Sequence, residues 1–135
     1  MSTTKTILNN FLTYLQNRDL DNLVNLFADN VKWAIPGNVK DIKWLGTRIN
    51  RIEIVDFFKM LWKETEPISA EIHKILIENE DVIVKGLFTT KMLATEKVVT
   101  SIFFIHFIVN NGKIIEYTLL EDSYAVSQSL LKESK

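Results

Sequence analysis

The chain has 135 residues, 47% hydrophobic and 24% charged, with 16 Lys+Arg against 17 Asp+Glu. That length supports one hydrophobic core and leaves two marginal, and the balance excludes a disordered or fibrous chain. A formal net charge of -1 leaves no global footprint for nucleic acid, and the absence of cysteine excludes disulfides, thiolate metal sites and cysteine nucleophiles.

The opening Met1-Ser2-Thr3-Thr4-Lys5 leads into an amphipathic pattern, and Asn9 and Asn10 interrupt the apolar run a signal peptide needs. The longest apolar run, Ile102 to Val109, is broken by His106 and too short for a bilayer. A cytoplasmic protein, a single domain over 1–135, is expected. Ile7, Phe11, Tyr14 and Leu15 recur at helical spacing, widened by Leu8 and Leu12, with an N-cap among Ser2 to Thr4. Asp19 caps a second predicted helix carrying Leu20, Leu23, Val24 and Phe27 and ending near Asp29-Asn30. A short strand, Val31 to Ile35, puts Val31, Trp33 and Ile35 on one face and stops at the Pro36-Gly37 turn. Asn38 to Ile49 reads as a loop of mixed charge. Asn50-x-x-Glu53 resembles a capping box and opens a third helix with Ile54, Phe57, Phe58 and Leu61 on its apolar face, Trp62 at the edge and Pro67 beyond the end.

The second half is rich in Ile, Val, Phe and Thr, and reads as strands over Glu71–Glu78, Val82–Met92, Val98–Val109 and Lys113–Asp122. Their connections are too short for parallel crossovers, so the strands form an antiparallel meander. The tail adds a helical turn through Val126, Leu130 and Leu131. Three helices followed by this meander predict an α+β fold with the helices on one face of the sheet.

Asn111-Gly112 is a strong two-residue hairpin signal, since a type I′ turn needs positive φ at both central residues. Pairing Asn110 with Lys113 and counting back sets His106 opposite Tyr117, Phe104 opposite Leu119 and Ile102 opposite Glu121. One face of the hairpin then carries those six residues, and the other carries Phe103, Ile105 and Phe107. A slip of one residue exchanges the faces of the partner strand. The helices cover one face. The other needs a partner or stays an exposed apolar patch, so a homodimer through Phe103, Ile105 and Phe107 is expected.

The order of elements resembles the nuclear-transport-factor-two-like superfamily, which includes ketosteroid isomerase and SnoaL-like polyketide cyclases. The similarity rests on Phe27-Ala28-Asp29-Asn30-Val31-Lys32-Trp33-Ala34-Ile35-Pro36-Gly37 as a helix-to-strand junction. It rests also on Gly46-Thr47-Arg48 through Ile52-x-x-Val55-x-x-Phe58, on Asn111-Gly112-Lys113-Ile114-Ile115 as the last hairpin, and on Asp122 at that strand's end. The resemblance implies a cone-shaped, strongly curved antiparallel sheet covered by three N-terminal helices, of the cystatin-like or ketosteroid-isomerase-like kind, around an apolar pocket with few polar groups. Ligand-binding residues would be Phe11, Tyr14, Trp33, Phe58, Ile102, Phe104 and Leu119.

The chain departs from the mechanisms of these relatives. Ile35 stands where a ketosteroid isomerase has its general base, Phe104 near its second acid and Phe11 near its oxyanion tyrosine. Without the base, that activity is excluded. Leu119 stands near the acid of SnoaL-type cyclases, with Glu121 one pleat along, and no arginine matches the epoxide-hydrolase set. The tentative catalytic residues are therefore His106 as acid or base, Tyr117 as donor and Glu121 as a second carboxylate. They would act by cofactor-free proton transfer on a small apolar molecule, as in an isomerase, cyclase or dehydratase. The alternative is a non-catalytic ligand-binding or protein-interaction module of the same fold. His73 shares a face with Ile75 and Ile77, Lys85 approaches His106 in one register, and Lys40, Lys43, Arg48 and Arg51 form a solvated basic loop. Two histidines without clustered carboxylates are a poor metal set, so neither metal nor cofactor is expected, nor a nucleic-acid or membrane partner.

Overall fold

The computed structural model describes residues 3–132, so Ser2 of the expected N-cap run lies outside the described residues, as does the end of the tail. The first helix, α1 (Thr3–Gln16), buries Thr4, Ile7, Leu8 and Phe11, one stripe at three- and four-residue spacing. The second, α2, spans only Leu20–Val24. The expected continuation through Phe27 is corrected: Phe27 opens β1 (Phe27–Ile35) and pairs with Ile114, so strand pairing overrides helical spacing. Gly46–Asn50 forms β2 inside the expected loop and pairs antiparallel with β1.

Helix α3 (Arg51–Glu64) begins as its capping box dictates. Asn50 Oδ1 accepts from Glu53 N at 2.9 Å, and Glu53 Oε1 accepts from Ile49 N at 2.8 Å, which satisfies two donors at the helix entrance. Then come β3 (Thr65–Glu78), β4 (Asp81–Met92), β5 (Val98–Asn110) and β6 (Lys113–Glu121). The first of these includes Pro67, which an edge strand tolerates. A fourth helix, α4 (Ser123–Ser129), is capped by Asp122, whose Oδ1 accepts from Ala125 N at 3.0 Å.

The six strands run in the order β2-β1-β6-β5-β4-β3. All neighbours are antiparallel except β1 and β6, which are parallel. The helices pack on one face, where Phe11, Phe27, Trp33, Phe58 and Phe107 are almost wholly buried. Each such side chain contributes on the order of 2–3 kcal/mol of burial.

The register of the last hairpin decides what faces the helices. Asn111 (φ 51°) and Gly112 (φ 77°) form the two-residue turn, with Asn110 opposite Lys113 and Val109 opposite Ile114. The next pair is Ile108 with Glu116, so Ile115 is an extra, unpaired residue: a β-bulge. Beyond it Phe107 faces Tyr117, His106 faces Thr118, Ile105 faces Leu119 and Phe103 faces Glu121. One inserted residue changes which side of the pleat each β5 residue shares with its β6 neighbours. Two expectations are thereby corrected. Phe103, Ile105 and Phe107 are buried at 8%, 3% and 0% exposure and lie under the helices, so they cannot form an outer interface. Ile102, Phe104 and His106 lie on the outer face and line no interior.

Candidate functional site

The concave face has two regions. At the end covered by the helices, aromatic rings fill the space. Phe11 lies 5.5 Å from Phe107 and 5.9 Å from Tyr117 between ring centroids, and Trp33 lies 5.9 Å from Phe58 and 4.2 Å from Tyr117. The expected lining residues Phe11, Trp33 and Phe58 are thus brought together with Tyr117, as packed core. Burial, with the charge of Glu121 as a smaller cause, pushes the Tyr117 hydroxyl well above its ordinary range. Tyr14 is half-buried at the edge of this cluster.

At the other end α4 packs against β5, where Val99, Ser101 and Val126 are buried, and beside it the cover is only partial, which leaves a shallow mouth. Leu119 and Glu121 of β6 and Phe88 of β4 are half-buried. On β3, Ile72 is exposed, and it pairs with Gly86, which in turn pairs with Phe103. Glu121 stands directly across from Phe103. Its carboxyl is pushed up to about 7, first by burial and second by the neighbouring negative charge of Asp122. Among the described residues this carboxyl has no hydrogen-bonding or ion-pairing partner. The group is therefore poised to give or take a proton near neutrality, the property that suits a general acid or base.

The Phe103 ring lies over residue 86 of β4, which it can do because that residue is glycine. A Cβ there would approach Phe103 Cζ at 2.6 Å and collide with the Glu71 carbonyl oxygen. Phe88 stands 6.1 Å from Phe103 between centroids. Sequence reasoning missed Phe88, Phe103 and Gly86 as site residues. The available signal was the lone glycine inside a strand, which often marks a close approach.

His106 contributes nothing to this mouth. On the outer face its Nε2 lies 2.8 Å from Asp81 Oδ1. Lys85 is also outside, with Nζ 5.8 Å from the centroid of Phe104. His73 sits where β3 is bulged, 3.8 Å from Glu71. Among the described residues no three His, Asp or Glu side chains gather to hold a metal.

A cavity of about 380 Å3 lies along β1 and β2, lined by Asn30, Val31, Lys32, Trp33, Ala34, Thr47, Arg48 and Ile49. Strand alternation turns Lys32, Ala34, Thr47 and Ile49 away from the core, so the cavity opens on the outer face and is separate from the mouth. Arg48 lies 4.9 Å over the Phe57 ring, and burial lowers its pKa against the opposing pull of Glu53 and Asp56. No helix among the described residues is long and apolar enough to cross a membrane.

A curved six-stranded sheet covered on one face by helices is an architecture shared with known proteins. The SnoaL-like domain family model matches residues 8–117, and the chain belongs to that family. It is similar to an NTF2-like protein from Burkholderia xenovorans LB400 (TM-score 0.85, 18% identity, covering 96% of each chain). It is similar to another from Burkholderia thailandensis E264 (TM-score 0.85, 20% identity, 97% of this chain and 99% of that one). An LEH-like epoxide hydrolase from M. tuberculosis has the same fold (TM-score 0.73, 16% identity, 95% of this chain and 89% of that one). At these identities the likeness is one of fold. No curated protein matches the chain.

Proposed function

We propose that this SnoaL-like domain binds a small, mostly apolar molecule in the open mouth of its sheet and moves a proton on it through Glu121, as an isomerase, cyclase or dehydratase does. The observation that carries this reading is Glu121 itself: a half-buried, unpaired carboxyl on the concave face whose proton is held to about 7. An uncompensated buried carboxyl costs stability, and such groups concentrate at functional sites. Tyr117 and Leu119 continue the same face inward; His106 has no part, being on the other side of the sheet. The fold alone confers no reaction.

The test is titration with an uncharged naphthalene dye. Saturable one-to-one binding is expected, and Leu119→Trp, which fills the mouth, abolishes it. Binding that Leu119→Trp leaves intact sends the ligand elsewhere and overturns the reading.

We infer in addition that a second copy of the chain covers the outer face. Ile83, Ile102, Phe104 and Leu120 are 40%, 41%, 41% and 50% exposed there. Phe104 pairs with Leu120, and Ile83 with His106, across adjacent strands, which makes the patch continuous. Sedimentation equilibrium should give a dimer for the parent chain and a monomer for Phe104→Glu. A monomeric parent chain refutes this assembly.

A further inference from the structure

We propose that Trp33 and Arg48 together hold the carboxylate of a small organic acid at the β2 edge of the sheet. This site lies two strands from Glu121 in the sheet order and does not depend on the mouth.

Three observations carry it. First, among the described residues Trp33 Nε1 and Arg48 Nη1 are buried and have no hydrogen-bond partner. Buried polar groups are nearly always paired, so an orphaned donor marks a place for a water, an ion or a ligand. Second, the two donors belong to one place. Trp33 and Arg48 are register partners on adjacent antiparallel strands, so their side chains share a face. Both rest on Phe57: the Trp33 ring lies 4.9 Å from it between centroids, and the guanidinium carbon of Arg48 lies 4.9 Å from its centre. Third, the place is at the border of the molecule. Arg48 is half-buried on the edge strand β2, and the β1–β2 ladder is broken beside the pair, between Asn30 and Trp33. Both residues also stand in the wall of the cavity of about 380 Å3 along these strands, which carries a second cation, Lys32, and no Asp or Glu.

The pair selects both the shape and the charge of its ligand. An indole N–H and a guanidinium only donate, so the ligand must bring acceptors, and a planar carboxylate matches the guanidinium fork. The acids of the chain do not take this role. Glu53 and Asp56 act on Arg48 from a distance, and among the described residues neither forms an ion pair with it. Glu53 Oε1 accepts from Ile49 N instead. Their negative charge disfavours a dianion such as a phosphate and tolerates a single charge, whose pairing with Arg48 is stronger here than in water because the site is partly desolvated.

The experiment compares benzoate, benzyl alcohol and phenylphosphonate by calorimetry at pH 8, with the indole N–H resonance of Trp33, assigned through Trp33→Phe, followed by NMR on the parent chain. Benzoate is expected to bind one-to-one and about tenfold tighter than either of the others. The Trp33 resonance should move on the same saturation curve, a readout that needs no variant to fold. Arg48→Gln should weaken benzoate about tenfold, and Arg48→Lys, which keeps the charge and loses the fork, should recover only part of that. A Trp33 resonance that stays still while benzoate binds, an affinity that survives Arg48→Gln, or benzyl alcohol or phenylphosphonate matching benzoate overturns the proposal. So does a Trp33 N–H in contact with bound water and no benzoate binding, which would give the two donors to a buried water.

Discussion

Trp33 and Tyr117, set side by side by the parallel pairing of β1 with β6, stack with ring centroids 4.2 Å apart and planes 19° apart. Phe11 and Phe27 close on the same Tyr117 ring at 5.9 and 6.0 Å. This cluster joins α1 to the parallel pair formed by β1 and β6. Tyr117→Ala should cost about 3–5 kcal/mol, since a buried ring is replaced by a cavity. Tyr117→Phe should cost less than about 1 kcal/mol, because among the described residues the hydroxyl has no hydrogen-bond partner to lose. Urea denaturation of both variants checks the contrast, and equal losses would contradict it.

The titration of Glu121 gives stability a definite slope with pH. The carboxyl keeps its proton up to about 7 in the folded chain, against an ordinary 4.5. The folded state therefore binds more protons than the unfolded state between these values. Its contribution is full below about pH 4.5, is lost as pH rises towards 7 and is flat above. The loss is on the order of 2–3 kcal/mol. Glu121→Gln should flatten the slope and be the more stable chain above pH 7. Denaturation curves at pH 5, 6, 7 and 8 measure both effects, and a variant with the parent's slope would contradict the assignment.

Gly86→Ala should destabilise the chain by at least about 1–3 kcal/mol, the scale of overpacking. The new methyl meets the Phe103 ring at 2.6 Å and also the Glu71 carbonyl oxygen, which is backbone and cannot swing aside. Phe103 would have to leave its place across from Glu121, so the titration of Glu121, followed by carbon NMR of labelled glutamate, should move as well. An unchanged titration would show that Phe103 does not shield the carboxyl.

Asn50→Ala removes the side-chain acceptor of Glu53 N and should cost about 1 kcal/mol. The loss is visible as a lowered midpoint in thermal denaturation.

Local signals fixed much of this architecture in advance. The capping box at Asn50 and Glu53, the Asn111-Gly112 turn and the stripe through Ile7 and Phe11 each depend on residues close in sequence. Signals of that range can be read along the chain, and here they agree with the global fold. The class of fold and the family followed from the order of such signals. The extent of β1 did not. Phe27 fits a helix by spacing, and only its pairing with Ile114 makes it a strand residue.

The site shows the same division more sharply. Glu121 and Leu119 were expected on the concave face and lie there, whereas His106 was expected beside Tyr117 and lies on the opposite side of the sheet. The strand from Val98 to Asn110 is apolar at almost every position, so its own pattern does not say which alternate set turns inward. The helices bury whichever set the β6 register presents to them, and that register turns on one unpaired residue, Ile115. A bulge leaves no compositional mark in a run such as Lys113-Ile114-Ile115-Glu116. It is set by the twist and packing of the whole sheet, which is why the sequence named the residues of the hairpin and the tertiary structure alone chose their sides.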